Sequence, residues 1–377
     1  MDRLRQLHDA GQSIWLDYID RSLLRSGELA RRIERDALTG MTSNPTIFEK
    51  ALAEGHVYDS QLTGASPDLS AWELFELVET DDVRAACDIF LPVHERTKGV
   101  DGYVSIEVSP GTAHSVDDTI AEARRLWASV GRPNVMIKVP GTAAGAAAAR
   151  RLLADGINVN ITLLFAVSAH DAVIESYLAA LEERVSRGLP LSAVASVASF
   201  FVSRVDTESE KRLDALVAAN PARADELKAF RGRVAVANAK LAYALFRERF
   251  SGPRWEALAA RGARVQRPLW ASTSTKNPAY RDVMYVEDLI GPDTVNTMPP
   301  GTITAFADHG VVERTVDTNL DEERALIARL ERAGVSLGDV TDTLLRDGLA
   351  SFTRSFDSLM AGLEAKRRSL GAAVAAH

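Results

Sequence analysis

The sequence predicts an α/β protein built as a single (β/α)8 barrel of the TIM type. About eight short apolar or alternating runs recur along it, longer stretches of helical period separate them, and the polar residues within the runs share one parity. The chain has 377 residues, 46% of them hydrophobic and 25% charged, the balance of a globular protein. A barrel of roughly 250 residues carrying insertions and a tail accommodates that length. One domain over residues 1–377 is therefore expected, with 311–377 a helical C-terminal extension packed on it.

The strand candidates are residues 13–17, 40–44, 103–109, 135–140, 157–162, 193–201, 268–273 and 294–298. Each is short, rich in β-branched or alternating apolar residues, and bounded by turn formers. Residues 116–130 and 143–154 are rich in Ala, Leu, Arg and Glu at helical spacing and read as covering helices. Residues 213–250 read as two helices joined near Asn220-Pro221, an insertion between strands six and seven. After Gly310, residues 321–333 and 340–368 are again helical, with no further strand signal. The basic run Lys366, Arg367 and Arg368 reads as a solvated helix face.

Parity is the most informative feature. Alternate residues of a barrel strand face the lumen and the covering helices. In Tyr103-Val-Ser-Ile-Glu-Val-Ser109, Val104, Ile106 and Val108 take the outer face and leave Ser105, Glu107 and Ser109 inward. Val135, Ile137 and Val139 take the outer face of strand four and leave Lys138 inward. Strand five directs Asn158, Asn160 and Thr162 inward, and strand one directs Trp15 and Asp17 inward. Branched apolar layers fill an ordinary barrel core, so a lumen carrying Asp17, Glu107, Lys138, Asn160 and Thr162 near the C-terminal strand ends predicts a catalytic mouth. Singly, Asp17 could be a helix cap, Asn44 before Pro45 a turn opener, Arg204 a surface ion pair, and Glu107 and Lys138 a structural ion pair.

Composition narrows the function further. The net charge is −8 and Lys and Arg are dispersed, so no basic stripe invites nucleic acid. Cys87 is the single cysteine, which rules out an internal disulfide and reads as a packed core thiol suited to a reducing cytosol. Residues 1–12 are charged rather than signal-like, and no run of about 18 apolar residues occurs, so a cytoplasmic protein without membrane contact is expected. The seven histidines show no metal-ligating spacing, His94 and His114 read as loop residues, and no metal or other cofactor is expected. Val139-Pro-Gly-Thr-Ala-Ala-Gly145 lacks the ending of a phosphate loop and reads as a strand-to-helix turn.

These stretches carry a family resemblance. Met41-Thr-Ser-Asn-Pro-Thr-Ile-Phe48, Ser105-Ile-Glu-Val-Ser109, Val135-Met-Ile-Lys-Val-Pro140, Gly156-Ile-Asn-Val-Asn-Ile-Thr-Leu-Leu-Phe165 and Val197-Ala-Ser-Phe-Phe-Val-Ser-Arg204 resemble transaldolases, specifically their longer actinobacterial form. The resemblance covers about residues 13–310. It implies a transferase of the non-oxidative pentose phosphate pathway that moves a dihydroxyacetone unit between sugar phosphates. Sedoheptulose 7-phosphate and glyceraldehyde 3-phosphate would give erythrose 4-phosphate and fructose 6-phosphate. Lys138 would form the Schiff base, with Asp17, Glu107 and Thr162 in catalysis. Thr42, Asn44, Asn160, Ser199, Arg204 and Ser272 would meet substrate. One departure stands out. Shorter transaldolases carry Ala-Ser-x-Arg after strand seven, whereas Trp270-Ala-Ser-Thr-Ser-Thr-Lys-Asn-Pro278 places Ser274 where that arginine falls, so Lys276 is the candidate second phosphate contact.

Overall fold

The computed structural model describes residues 2–54 and 56–375. Eight parallel strands close into a barrel in sequence order, each paired with its neighbours and β8 with β1. They are β1 (Gln12–Asp17), β2 (Leu38–Thr42), β3 (Tyr103–Glu107), β4 (Val135–Pro140), β5 (Val159–Leu164), β6 (Ser196–Phe201), β7 (Arg267–Ala271) and β8 (Thr294–Met298).

Helix α1 (Arg3–Asp9) precedes the barrel, and α2 (Arg21–Arg25) and α3 (Glu28–Arg35) link β1 to β2. Three helices fill the β2–β3 connection: α4 (Pro45–Glu54), α5 (Asp59–Gly64) and α6 (Ala71–Arg96). The covering helices α7 (Val116–Val130), α8 (Ala143–Ala154) and α9 (Val167–Ser186) follow β3, β4 and β5. Between β6 and β7 run α10 (Ser203–Ala219), α11 (Ala224–Lys228), α12 (Val234–Arg249) and α13 (Gly252–Ala259). The remainder is α14 (Met284–Glu287), α15 (Pro300–His309), α16 (Leu320–Ala333) and the 39-residue α17 (Leu337–Ala375). No helix among the described residues is long and apolar enough to cross a membrane.

Local chemistry explains the boundaries. Ser70 and Glu73 close a capping box at the start of α6, Thr142 caps α8 through the Gly145 N–H, and Gly131 ends α7 in the left-handed region. The β2 strand lies two residues earlier than 40–44 because Asn44-Pro45 opens α4. Residues 191–193 form a 3₁₀ turn, so the sixth strand begins at Ser196. The 213–250 insertion holds three helices, with α10 starting upstream at Ser203. His94 sits in the last turn of α6 rather than in a loop.

Two sequence expectations are overturned by packing. Ser109 does not face the lumen: β3 ends at Glu107, and both the N–H and the hydroxyl of Ser109 donate to Glu122 of α7 at 2.7 Å. The basic run is not simply a solvated face either. Lys366 donates to the Leu52 carbonyl at 2.8 Å and pairs with Asp59 at 3.0 Å, and Arg367 donates to the Leu69 carbonyl at 2.5 Å. Those carbonyls lie at the end of α4 and in the α5–α6 connection, where they need donors, and two long cations on α17 supply them.

The parity of the strands governs the core. Ile14, Leu16, Val104, Ile106, Ile137 and Phe200 join the layer between barrel and helices, as does Cys87 of α6. Trp15, Tyr103, Met136, Val197, Leu269 and Val295 form a separate cluster inside the barrel. Gly40 is needed there, since a Cβ would lie 2.5 Å from the Trp15 indole. Below this layer the lumen is plugged by charge: Asp101 accepts from Trp15 Nε1 at 2.7 Å and from the Ser13 hydroxyl, and Arg267 donates to Ser13 Oγ at 2.7 Å and to the Val100 carbonyl at 2.8 Å.

Candidate active site

Above the apolar layer, at the C-terminal strand ends, the polar lumen residues surround a cavity of about 600 Å³. Strand ends deliver Asp17 from β1, Thr42 from β2, Glu107 from β3, Lys138 from β4, Thr162 from β5 and Ser199 from β6. The loops add Asn44 after β2, Arg204 in the first turn of α10, and Ser272 and Lys276 after β7.

Lys138 Nζ stands 3.0 Å from Glu107 Oε2 and donates to the Ser43 carbonyl at 3.3 Å. The register places Glu107 beside Lys138 and Lys138 beside Asn160 on adjoining strands. Thr42 Oγ1 donates to Asp17 Oδ1 at 2.9 Å and lies 2.7 Å from Thr297 Oγ1, so a hydroxyl pair fixes the Asp17 carboxylate. Lys276 Nζ donates to Ser274 Oγ at 2.8 Å. Arg204 lies over the Phe201 ring at 5.1 Å.

Burial and neighbouring charge compete at each group. Burial pushes the Asp17 carboxyl above the usual aspartate range, and Lys138, the Thr42 hydroxyl, Lys276 and Arg204 pull it back. Burial likewise raises Glu107, opposed by the Lys138 charge and its hydrogen bond. Arg204 is lowered by burial against the pull of Asp17. Lys276 is lowered by burial and by the Arg204 charge. Two carboxylates and three cations thus share one cavity, an arrangement suited to moving protons at one end and seating an anion at the other.

Ten of the eleven residues singled out from the sequence line this cavity. Asn160 lies beneath the lining, wholly buried, where its amide donates to Ser105 Oγ at 3.0 Å and its carbonyl accepts from Ser199 Oγ at 2.6 Å. Asn44 also caps α4, its side-chain oxygen accepting from the Ile47 N–H at 3.1 Å. The β5 strand ends irregularly: its pairing with β6 shifts register between Ile161 and Leu164, and Leu163 has φ of 59°. Such a bulge re-aims side chains at a strand end, and Leu163 enters the cavity wall.

Sequence reasoning missed Thr297, which parity extended to the eighth strand would have placed inward, and Phe201, inward by the parity of Ser199. It also missed Gly348, Ser351, Phe352 and Ser355 of α17. Small residues on a long helix carry no signal of which cavity they cover.

The chain is also similar to known proteins over nearly all of its length. Residues 14–363 match the family model described as transaldolase/fructose-6-phosphate aldolase. Over 376 residues the chain is 46% identical to "Transaldolase 2" of Nostoc sp., covering 98% of this chain and 99% of the relative. It is 49% identical over 359 residues to a transaldolase of Thermobifida fusca, covering 95% and 96%. It is 47% identical over 374 residues to a transaldolase of Mycobacterium ulcerans, covering 97% and 98%. A match that runs through the C-terminal helices as well as the barrel leaves no part of the site outside the likeness, and the chain belongs to the transaldolase family, enzymes of the transferase class.

Proposed function

We propose that this protein carries a dihydroxyacetone unit between sugar phosphates as an enamine on Lys138, converting sedoheptulose 7-phosphate and glyceraldehyde 3-phosphate to erythrose 4-phosphate and fructose 6-phosphate, reversibly. The observation that supports it most is the contact of Lys138 with Glu107 at 3.0 Å on the wall of a cavity that also holds Asp17, Arg204 and Lys276.

A lysine attacks a carbonyl only as the neutral amine, and Glu107 is the group placed to receive its proton. Attack of Nζ on the ketose C2 gives a carbinolamine. Its hydroxyl leaves as water when a proton is returned to it, through a water held by Glu107 and Thr162, and the product is an iminium. Asp17, as the carboxylate, takes the proton of the C4 hydroxyl. The C3–C4 bond then breaks, its electron pair flows into the iminium to give the enamine, and the aldose phosphate departs. Addition of the enamine to a second aldehyde and hydrolysis of the resulting iminium regenerate Lys138.

Thr42 orients Asp17. Asn44, Ser199 and Ser272 serve the donor hydroxyls, with Asn160 holding Ser199 from below. Arg204 and Lys276 seat the phosphate, Lys276 replacing the arginine whose place Ser274 takes. We also take 1–377 as one domain whose extension 311–377 packs on the barrel, its last two residues lying outside those described. The contacts of α17 with α4 and of Lys240 in α12 with Glu323 in α16 at 3.6 Å support it.

A fructose 6-phosphate aldolase, the other activity in the description of the family model, would release free dihydroxyacetone. Incubation with fructose 6-phosphate, with and without erythrose 4-phosphate, separates the two. Turnover that requires the aldose acceptor is expected; equal release of dihydroxyacetone without acceptor would contradict the transfer reading.

A further inference from the structure

The C-terminal helix is part of the cavity wall. Gly348, Ser351, Phe352 and Ser355 fall at helical spacings of three, four and seven, so they form one stripe along α17. All four line the cavity that holds Lys138.

The two ends of the stripe are located by their neighbours. At one end, Ser355 lies 3.0 Å from Thr46 Oγ1, two residues beyond Asn44, so this end stands over the β2 loop. At the other end, a Cβ built on Gly348 would lie 3.2 Å from Leu163 Cδ2 and 3.9 Å from Arg204 Nη1. Gly348 is buried, and its missing side chain eases the close approach of the helix backbone to Leu163 at the β5 bulge, with the Arg204 guanidinium just beyond. Between the two ends, Ser351 is exposed to the cavity, one turn from Gly348.

We propose that α17 closes the phosphate subsite of the transaldolase cavity, with Ser351 donating a hydrogen bond to the phosphate seated on Arg204 and Lys276, and Gly348 keeping the space beside Arg204 open for it. This rests on the assignment of Arg204 and Lys276 to phosphate made above. A phosphate dianion presents more acceptor positions than two cations fill, and a hydroxyl on the facing wall takes one of the remainder. Gly348 acts by leaving room. Any larger side chain there meets Leu163 and projects toward Arg204. Further along the same helix, Lys366 and Arg367 tie it to the end of α4 and to the α5–α6 connection.

The test compares Ser351→Ala, Gly348→Ala and Gly348→Leu with the parent, using fructose 6-phosphate and unphosphorylated fructose as donors at saturating erythrose 4-phosphate. Borohydride trapping on Lys138 is recorded for every protein, and melting curves verify folding. For fructose 6-phosphate, Ser351→Ala is expected to raise KM about 5-fold with kcat changed less than about 2-fold, and Gly348→Leu to raise KM more than about 20-fold. Gly348→Ala, whose Cβ stops short of the guanidinium, should shift KM less than about 3-fold. With fructose, which carries no phosphate, each variant should lose less kcat/KM than with fructose 6-phosphate, a donor dependence that a general distortion of the site would not produce. KM for fructose 6-phosphate unchanged in both Ser351→Ala and Gly348→Leu, or equal losses with the two donors, would overturn the assignment while leaving the Lys138 adduct intact. Absence of that adduct from the parent itself would remove the Schiff-base reading and this one with it.

Discussion

The barrel carries two charged clusters made of the same materials, one buried at its bottom and one lining a cavity at its top. At the bottom, Asp101, Arg267, Ser13 and Trp15 form a plug in which Asp101 accepts from Ser13, Trp15 and Arg267, and Arg267 donates also to a hydroxyl and a carbonyl. At the top, Asp17, Glu107, Lys138, Arg204 and Lys276 surround about 600 Å³ of open volume. The first is closed and internally paired. The second keeps hydrogen-bonding capacity directed at a space where a ligand fits. Burial and charge alone do not mark a site; unspent capacity beside a reachable volume does.

Substitutions in the two clusters should have different consequences. Lys138→Ala should lower turnover per folded molecule by at least about 10⁴-fold in a steady-state assay, beyond whatever the loss of Glu107's partner costs in stability. Asp101→Ala should lower stability and spare turnover per folded molecule. Removing one partner of a buried charged network costs about 3–5 kcal/mol, visible in denaturant unfolding, with activity per folded molecule retained. Loss of activity without loss of stability in Asp101→Ala would show that the plug shapes the mouth.

Asp17→Ala sharpens the division of labour within the upper cluster. Its loss should slow cleavage by about 10²–10³-fold, the range of an absent general base, and leave the borohydride adduct obtainable. Near-normal turnover would remove Asp17 from its role. Because Asp17 acts as the ionised base and its pKa is raised, activity should fall with acid at a pH above the ordinary aspartate value of about 3.9. A pH profile of kcat/KM measures that limb.

The smallest effect lies outside both clusters. His170, buried between α9 and β6 beside Phe200, is pushed down to about 4 by burial. Between the ordinary value of about 6.5 and 4 the unfolded chain takes up a proton that the folded chain refuses, so stability falls as pH drops through that window. His170→Phe should flatten the fall by up to about 1.4 kcal/mol per pH unit, read from melting curves. An unchanged slope would assign the acid sensitivity to the lumen carboxyls instead.

The same contrast explains which parts of the molecule are legible in its sequence. The upper cluster sits on strands, so period-two alternation by itself turns Glu107, Lys138, Asn160 and Thr162 inward, and family motifs then supply their roles. The plug is not legible, because Asp101 precedes its strand and Arg267 opens β7 just before the run that reads as the seventh strand. Ser109 is misplaced by parity for a related reason: alternation holds only while the strand lasts, and β3 ends two residues earlier. The β2–β3 insertion and the cavity face of α17 escape because a helix pattern announces a buried stripe without naming the surface that covers it. Lys366 and Arg367 look solvated for want of any sign that orphan carbonyls near α4 and α5 await them.

In the proposed mechanism the lysine of the open cluster carries the substrate covalently. Borohydride reduction in the presence of fructose 6-phosphate, followed by peptide mass mapping, tests it most directly. One three- or six-carbon adduct is expected, on the peptide containing Lys138 and on no other lysine; an unmodified Lys138 in protein that turns over fructose 6-phosphate would rule the covalent role out.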